Sequence, residues 1–80
     1  MSFHNFHSTK VYDQNTGKWV SGYLQNIAMT PIKFRFSAKQ RDQLSAGEKV
    51  NTDVMKYRVL TVKPYGARNC EAVLINDNLI

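Results

Sequence analysis

Apolar and polar residues alternate along much of this chain with a period of two, the spacing of half-buried β-strands. The clearest run places Ile32, Phe34 and Phe36 around Lys33 and Arg35. A second, the longest candidate at residues 54–62, alternates Met55, Tyr57 and Val59 with Lys56 and Arg58. Shorter candidates are Lys10-Val11-Tyr12, Lys18-Trp19-Val20 and Glu71-Ala72-Val73-Leu74-Ile75. Tyr23 to Met29 can extend the second of these. Thr30-Pro31 stops it, because proline removes a ladder donor and restricts the residue before it.

The punctuation agrees with short strands. Asp13-Gln14-Asn15-Thr16-Gly17 is a strong turn, since Asp and Asn side chains satisfy local backbone groups. Ser21-Gly22 interrupts its strand and predicts a bulge or bend of the kind that closes small barrels. Ser37-Ala38-Lys39-Gln40 fits a capping box, with the Ser oxygen accepting from a backbone N–H and Gln reaching back. One or two helical turns are expected over residues 38–45, with Gly47 as the left-handed stop. Residues 64–69 read as a loop and Asn76-Asp77-Asn78 as a tight turn. Leu79-Ile80 looks like the first step of a further strand. Residues 1–8 show no period and read as an arm.

Five or six short strands with at most one short helix predict an all-β domain, a small β-barrel or sandwich. Eighty residues make one such domain, and no linker or repeat divides it. A hydrophobic share of 42% against 21% charged argues against disorder. The start of the chain lacks a basic end and an apolar run, so no signal peptide is expected. No stretch approaches a membrane span. Cys70 is the only cysteine, which rules out an internal disulfide and suits a reducing compartment. It reads more readily as a small packing residue than as a reactive thiol.

Charge changes the picture more than composition does. The chain carries +5 overall, but residues 33–68 hold nine Lys and Arg against three acids, a net +6. Such a field attracts phosphate or an acidic protein surface, or simply keeps a solvated face. Lys33, Arg35, Lys56 and Arg58 would share one sheet face if their strands pair, with Lys39, Arg41 and Lys49 in the connecting segment. Phe34, Phe36 and Tyr57 alternate with these cations and so point inward. That leaves a charge-only surface, able to contact phosphates, rather than a platform for stacking bases.

Catalytic chemistry finds no foothold. The six acids are scattered, Ser21 lies outside a nucleophile elbow, and Gly47-Glu48-Lys49 lacks the phosphate-loop pattern. His4 and His7 are too few for a metal site and read as polar arm residues. No enzyme, cofactor or metal is expected.

Several short motifs resemble the small head–tail joining proteins of tailed bacteriophages, the stopper or head-completion group. They are Thr16-Gly17-Lys18-Trp19-Val20-Ser21-Gly22, Leu44-Ser45-Ala46-Gly47-Glu48, Lys56-Tyr57-Arg58-Val59-Leu60-Thr61 and Glu71 through Asn78. The chain departs from the pattern in two places. Its proline precedes Ile32 rather than following that strand, and it stops at Ile80 where the family runs on into a completing strand. The resemblance implies a barrel-like protomer in a ring, a hexamer, between portal or adaptor and tail proteins. Such a ring is virion-borne, assembled in the host cytoplasm, and retains packaged DNA. Residues 37–53 would reach toward the channel and present Lys39, Arg41 and Lys49 to DNA. Edge strands and the amino-terminal arm would meet neighbours by strand addition. Alternatives from charge alone are a small nucleic-acid-binding β-barrel and a phage-encoded inhibitor of a host protein.

Overall fold

The period-two runs become six antiparallel strands that close into one small barrel. The structure, a computed structural model, describes residues 5–26, 31–52 and 55–77. The strands are β1 (Phe6–Asp13), β2 (Lys18–Gln25), β3 (Ile32–Ser37), β4 (Lys49–Asn51), β5 (Lys56–Tyr65) and β6 (Asn69–Asn76). Around the barrel their order is β1-β2-β3-β6-β5-β4, and β4 returns to β1. Among the described residues the longest helical element is a short 3-10 helix, Ala38–Gln43. Among the described residues no helix is long and apolar enough to cross a membrane.

The core is what the alternation specified. Ile32, Phe34 and Phe36 of β3 face inward against Val11, Val20, Leu24, Val59 and Leu74. The Phe34 and Phe36 rings stack 5.6 Å apart. Tyr57 is also inside, and burial pushes its phenol pKa up. Cys70 is buried in the same cluster, as a packing residue. Leu44 caps the barrel from the segment between β3 and β4 and is 2% exposed.

Several local expectations are corrected. Phe6, His7 and Ser8 are not part of an arm, because they pair with Gln25, Leu24 and Tyr23. Gly22 does not interrupt β2, whose register against β1 runs unbroken from Phe6↔Gln25 to Asp13↔Lys18. The bulge lies in β5, between Val59 and Thr61, and leaves Leu60 44% exposed. Pro64 and Tyr65 belong to β5, paired with Cys70 and Asn69, so that loop is only residues 66–68. Ser37 Oγ does accept from the Lys39 N–H, at 3.2 Å, but Gln40 reaches away to donate to the Ser21 carbonyl. The helix ends at Leu44, in extended backbone, so Gly47 (φ +90°) serves a separate turn in which Glu48 N–H donates to Ser45 C=O. The extension of β2 to Met29 and the strand step at Leu79-Ile80 lie outside the described residues, as does His4.

The β1–β4 closure is short: Tyr12↔Asn51 and Asp13↔Val50. Asp13 is wholly buried there. Its Oδ1 accepts from the Asn15 and Thr16 N–H groups, which builds the β1–β2 turn as anticipated. Among the described residues its Oδ2 has no hydrogen-bond partner. The Glu48 carboxyl beside it has its pKa raised, first by burial and then by the neighbouring Asp13 carboxylate, against the lowering effect of the Ser45 N–H that donates to it. The folded state therefore holds the Glu48 proton more tightly than the unfolded chain does. That contribution to stability is full at low pH and fades as pH climbs from the ordinary carboxylate range through the raised value. Gln mimics the protonated carboxyl and does not titrate, so thermal melts of the protein and of Glu48→Gln should lie closest at low pH and diverge as pH rises, the original losing stability relative to the variant. A constant gap between the two at all pH values would refute the assignment.

Candidate functional site

The outer wall of the barrel follows from the same alternation, one residue out of phase with the core. On β1 and β2 the cross-strand partners Tyr12↔Trp19, Lys10↔Ser21 and Ser8↔Tyr23 alternate with the buried Val11, Val20 and Leu24. They therefore share the outside. Trp19 is 56% exposed and Tyr23 43%. The Tyr12 ring meets Trp19 edge-on, with centroids 5.2 Å apart at 60°, which steadies the indole while leaving much of its surface in solvent.

Next to this pair, β3 sets Arg35 directly across from Tyr23, with Lys33 farther along. Arg35 is held in place. Its guanidinium lies 4.4 Å from the centre of the Phe6 ring and 4.0 Å from that of Tyr65, and its Nε donates to Glu71 at 3.0 Å. A cation packed between two ring faces and a carboxylate is a buttress, not a mobile phosphate contact. It ties β1, β3, β5 and β6 together on the outside of the barrel.

The seven cations singled out from the sequence do not form one patch. β3 and β5 do not pair; β6 stands between them, so Lys33 and Arg35 are separated from Lys56 and Arg58. Lys49 and Arg58 converge on Asp77, at 3.9 and 3.3 Å. Lys56 is exposed at the start of β5, and Arg41 is exposed on the 3-10 helix. Lys33 and Lys39 remain exposed on the side that carries Trp19 and Tyr23. The segment expected to reach outward is folded onto the barrel. Leu44 is buried, Gly47 N–H donates to Val59 C=O, and Val59 N–H donates to Glu48 C=O.

No family model, curated protein or solved structure matches this chain.

The inward fate of Phe34, Phe36 and Tyr57 is as expected. The inference drawn from it, that the surface offers charge without rings, does not follow. Other aromatics occupy the outside: Trp19 and Tyr23, backed by Tyr12, Phe6 and Tyr65. Around them stand Lys10, Lys33, Lys63 and Arg68, all exposed, and among the described residues none has a carboxylate within ion-pair distance. The signal was present in residues 18–25, where Trp19 and Tyr23 take the parity opposite to Val20 and Leu24. Treating Gly22 as a break hid it. No group of three metal-ligating side chains occurs among the described residues.

Proposed function

We propose that this protein binds single-stranded nucleic acid on the outer wall of β1, β2 and β3. The observation that carries the proposal is the exposure of Trp19 and Tyr23 on one strand face, beside Lys10 and Lys33, which form no salt bridge with a described residue. Exposed rings in a positive setting hold unpaired bases by stacking, and they tolerate any sequence because every base has a π face. Geometry favours a single strand over a duplex. Trp19 and Tyr23 are four residues apart on β2, about 13 Å at strand rise. Duplex bases are stacked on each other at about 3.4 Å and have no free faces to give. An extended strand can offer one base to each ring, with Lys10 between them for the phosphate.

Trp19 is the only tryptophan, so its fluorescence reports on the site directly. Titration with oligothymidylate should quench it. The affinity should fall with salt at a slope of about −2 to −3 in log K against log salt, from three or four phosphates at about −0.7 each. The same length of duplex should bind more weakly. Absence of quenching, or equal affinity for duplex, would refute the proposal.

A second reading, a protomer of a phage head–tail joining ring, has one observation in its favour. Among the described residues β1 meets β4 only at Tyr12 and Asp13, so the remainder of that edge could take a strand from a neighbour. The packing of Leu44 and Gly47 against the barrel counts the other way, because it holds the intervening segment back from any channel. The mass in solution separates the two: a ring supports the second reading and a monomer speaks against it.

A further inference from the structure

The surface beside Trp19 is not an isolated hollow. A shallow depression bounded by Lys10 and Trp19 shares Ser8 and Ser21 with a second one beneath Tyr23. The second shares Ser37 and Asn69 with a third, flanked by Lys39 and Arg68. The three form one groove that starts at a lysine, passes both exposed rings and ends at two more cations. Among the described residues no Asp or Glu lines any part of it. Its floor between the cations is rich in hydroxyl and amide groups, which can donate to phosphate oxygens. The depression beside Arg41, Asp42 and Leu44 shares no residue with this groove and includes a carboxylate.

The far end is built by the backbone. Ala38 N–H donates to Arg68 C=O at 2.9 Å and so pins the β5–β6 turn to the start of the 3-10 helix. Ser37 Oγ accepts from Lys39 N–H, and Gln40 Nε2 donates to Ser21 C=O at 3.1 Å, which fastens the helix over β2. Lys39 and Arg68 thus project from a rim whose main chain is already ordered, and a ligand has little left to arrange there.

We infer that the bound strand does not end at Tyr23 but continues along this groove, past Ser37 and Asn69, to exit between Lys39 and Arg68. The inference rests on the single-strand reading above and extends it from a pair of stacking positions to a directional path. Its far segment is held through the sugar–phosphate chain, since among the described residues no ring lines that end. Binding therefore depends on length in steps. A short strand uses the ring end alone, and a longer one adds the rim.

The test compares oligothymidylates of about 4 and about 12 nucleotides, within the range of single-strand sites on small barrels. They are measured against the protein and its Lys39→Glu/Arg68→Glu variant, with circular dichroism to confirm the fold. Both side chains are exposed and neither forms a salt bridge with a described residue, so the exchange orphans no partner. The long oligonucleotide should lose about tenfold or more in affinity, and the short one should change less than about twofold. A control pair, Arg41→Glu/Lys56→Glu, makes the same charge change off the path and should not discriminate between lengths. Equal loss for both oligonucleotides, or no loss for either, overturns the extended path and leaves the stacking wall standing. If the unaltered protein binds neither oligonucleotide, the path and the wall fall together. An acidic peptide that competes as well as the long oligonucleotide overturns the assignment of the groove to nucleic acid.

Discussion

Trp19→Ala should weaken binding to a labelled single strand by about ten- to a hundredfold and leave the melting temperature nearly unchanged. A base stacked on an exposed aromatic contributes about 1–3 kcal/mol by alanine substitution, and each 1.4 kcal/mol is a factor of ten in affinity. Trp19 should carry more of this than Tyr23, because its ring is larger, more exposed and met edge-on by Tyr12. Its removal costs the fold little, since it lies outside the buried cluster. Trp19→Phe should recover part of the affinity, as a stacking role requires and a purely steric one does not. Anisotropy of the labelled strand checks the affinity and a thermal melt checks the fold. A variant that binds as well as the original would refute the stacking role. A variant that unfolds would show that Trp19 is structural instead.

Gly22→Ala is expected to be the most damaging single methyl in the protein. Gly22 sits opposite Phe36 in the β2–β3 pair, on the inward parity between Val20 and Leu24. A Cβ there would lie 2.3 Å from the Arg35 carbonyl oxygen and 2.8 Å from Cζ of Phe34. The oxygen is main chain and the ring is buried, so neither yields cheaply. Overpacking of this kind costs about 1–3 kcal/mol where side chains can adjust. Displacing a strand in addition puts the expected loss at about 4 kcal/mol, a large part of the roughly 5–15 kcal/mol that holds a domain together. Gly47→Ala is the instructive comparison. Gly47 has φ +90° but nothing within 4 Å of its missing Cβ, so only backbone strain is at stake, about 1–2 kcal/mol. Urea denaturation of the two variants should rank Gly22→Ala as clearly the worse, and the reverse order would contradict the close approach of β3.

Much of the fold could be read from residue parity, and the reasons are local. Ile32, Phe34 and Phe36 leave no choice of face, and Asp13 through Gly17 can only turn. The short helical segment was equally legible from Ser37. Strand order was not. Adjacency of β6 to β3 depends on which edge remains free once β1 to β3 have formed, and nothing within β3 or β5 records it. That one placement separated Lys33 from Lys56 and removed the cationic face imagined from their spacing. The ion pairs made by Arg35, Lys49 and Arg58 depend on the same long-range registers. Trp19 and Tyr23 were legible in principle. They were obscured because Gly22 resembles a break, when its small size is what admits Phe34 beneath the strand.

The two-residue seam between β1 and β4 also shapes how the protein comes apart. Among the described residues every other junction has at least three paired positions, so the seam is the shortest of the six, and it holds the buried Asp13 carboxylate beside Glu48. Unzipped there, the barrel becomes a curled ribbon whose first strand is still attached through β2. The face that carries Trp19 and Tyr23 would survive that opening, since β1 stays paired with β2 and β2 with β3.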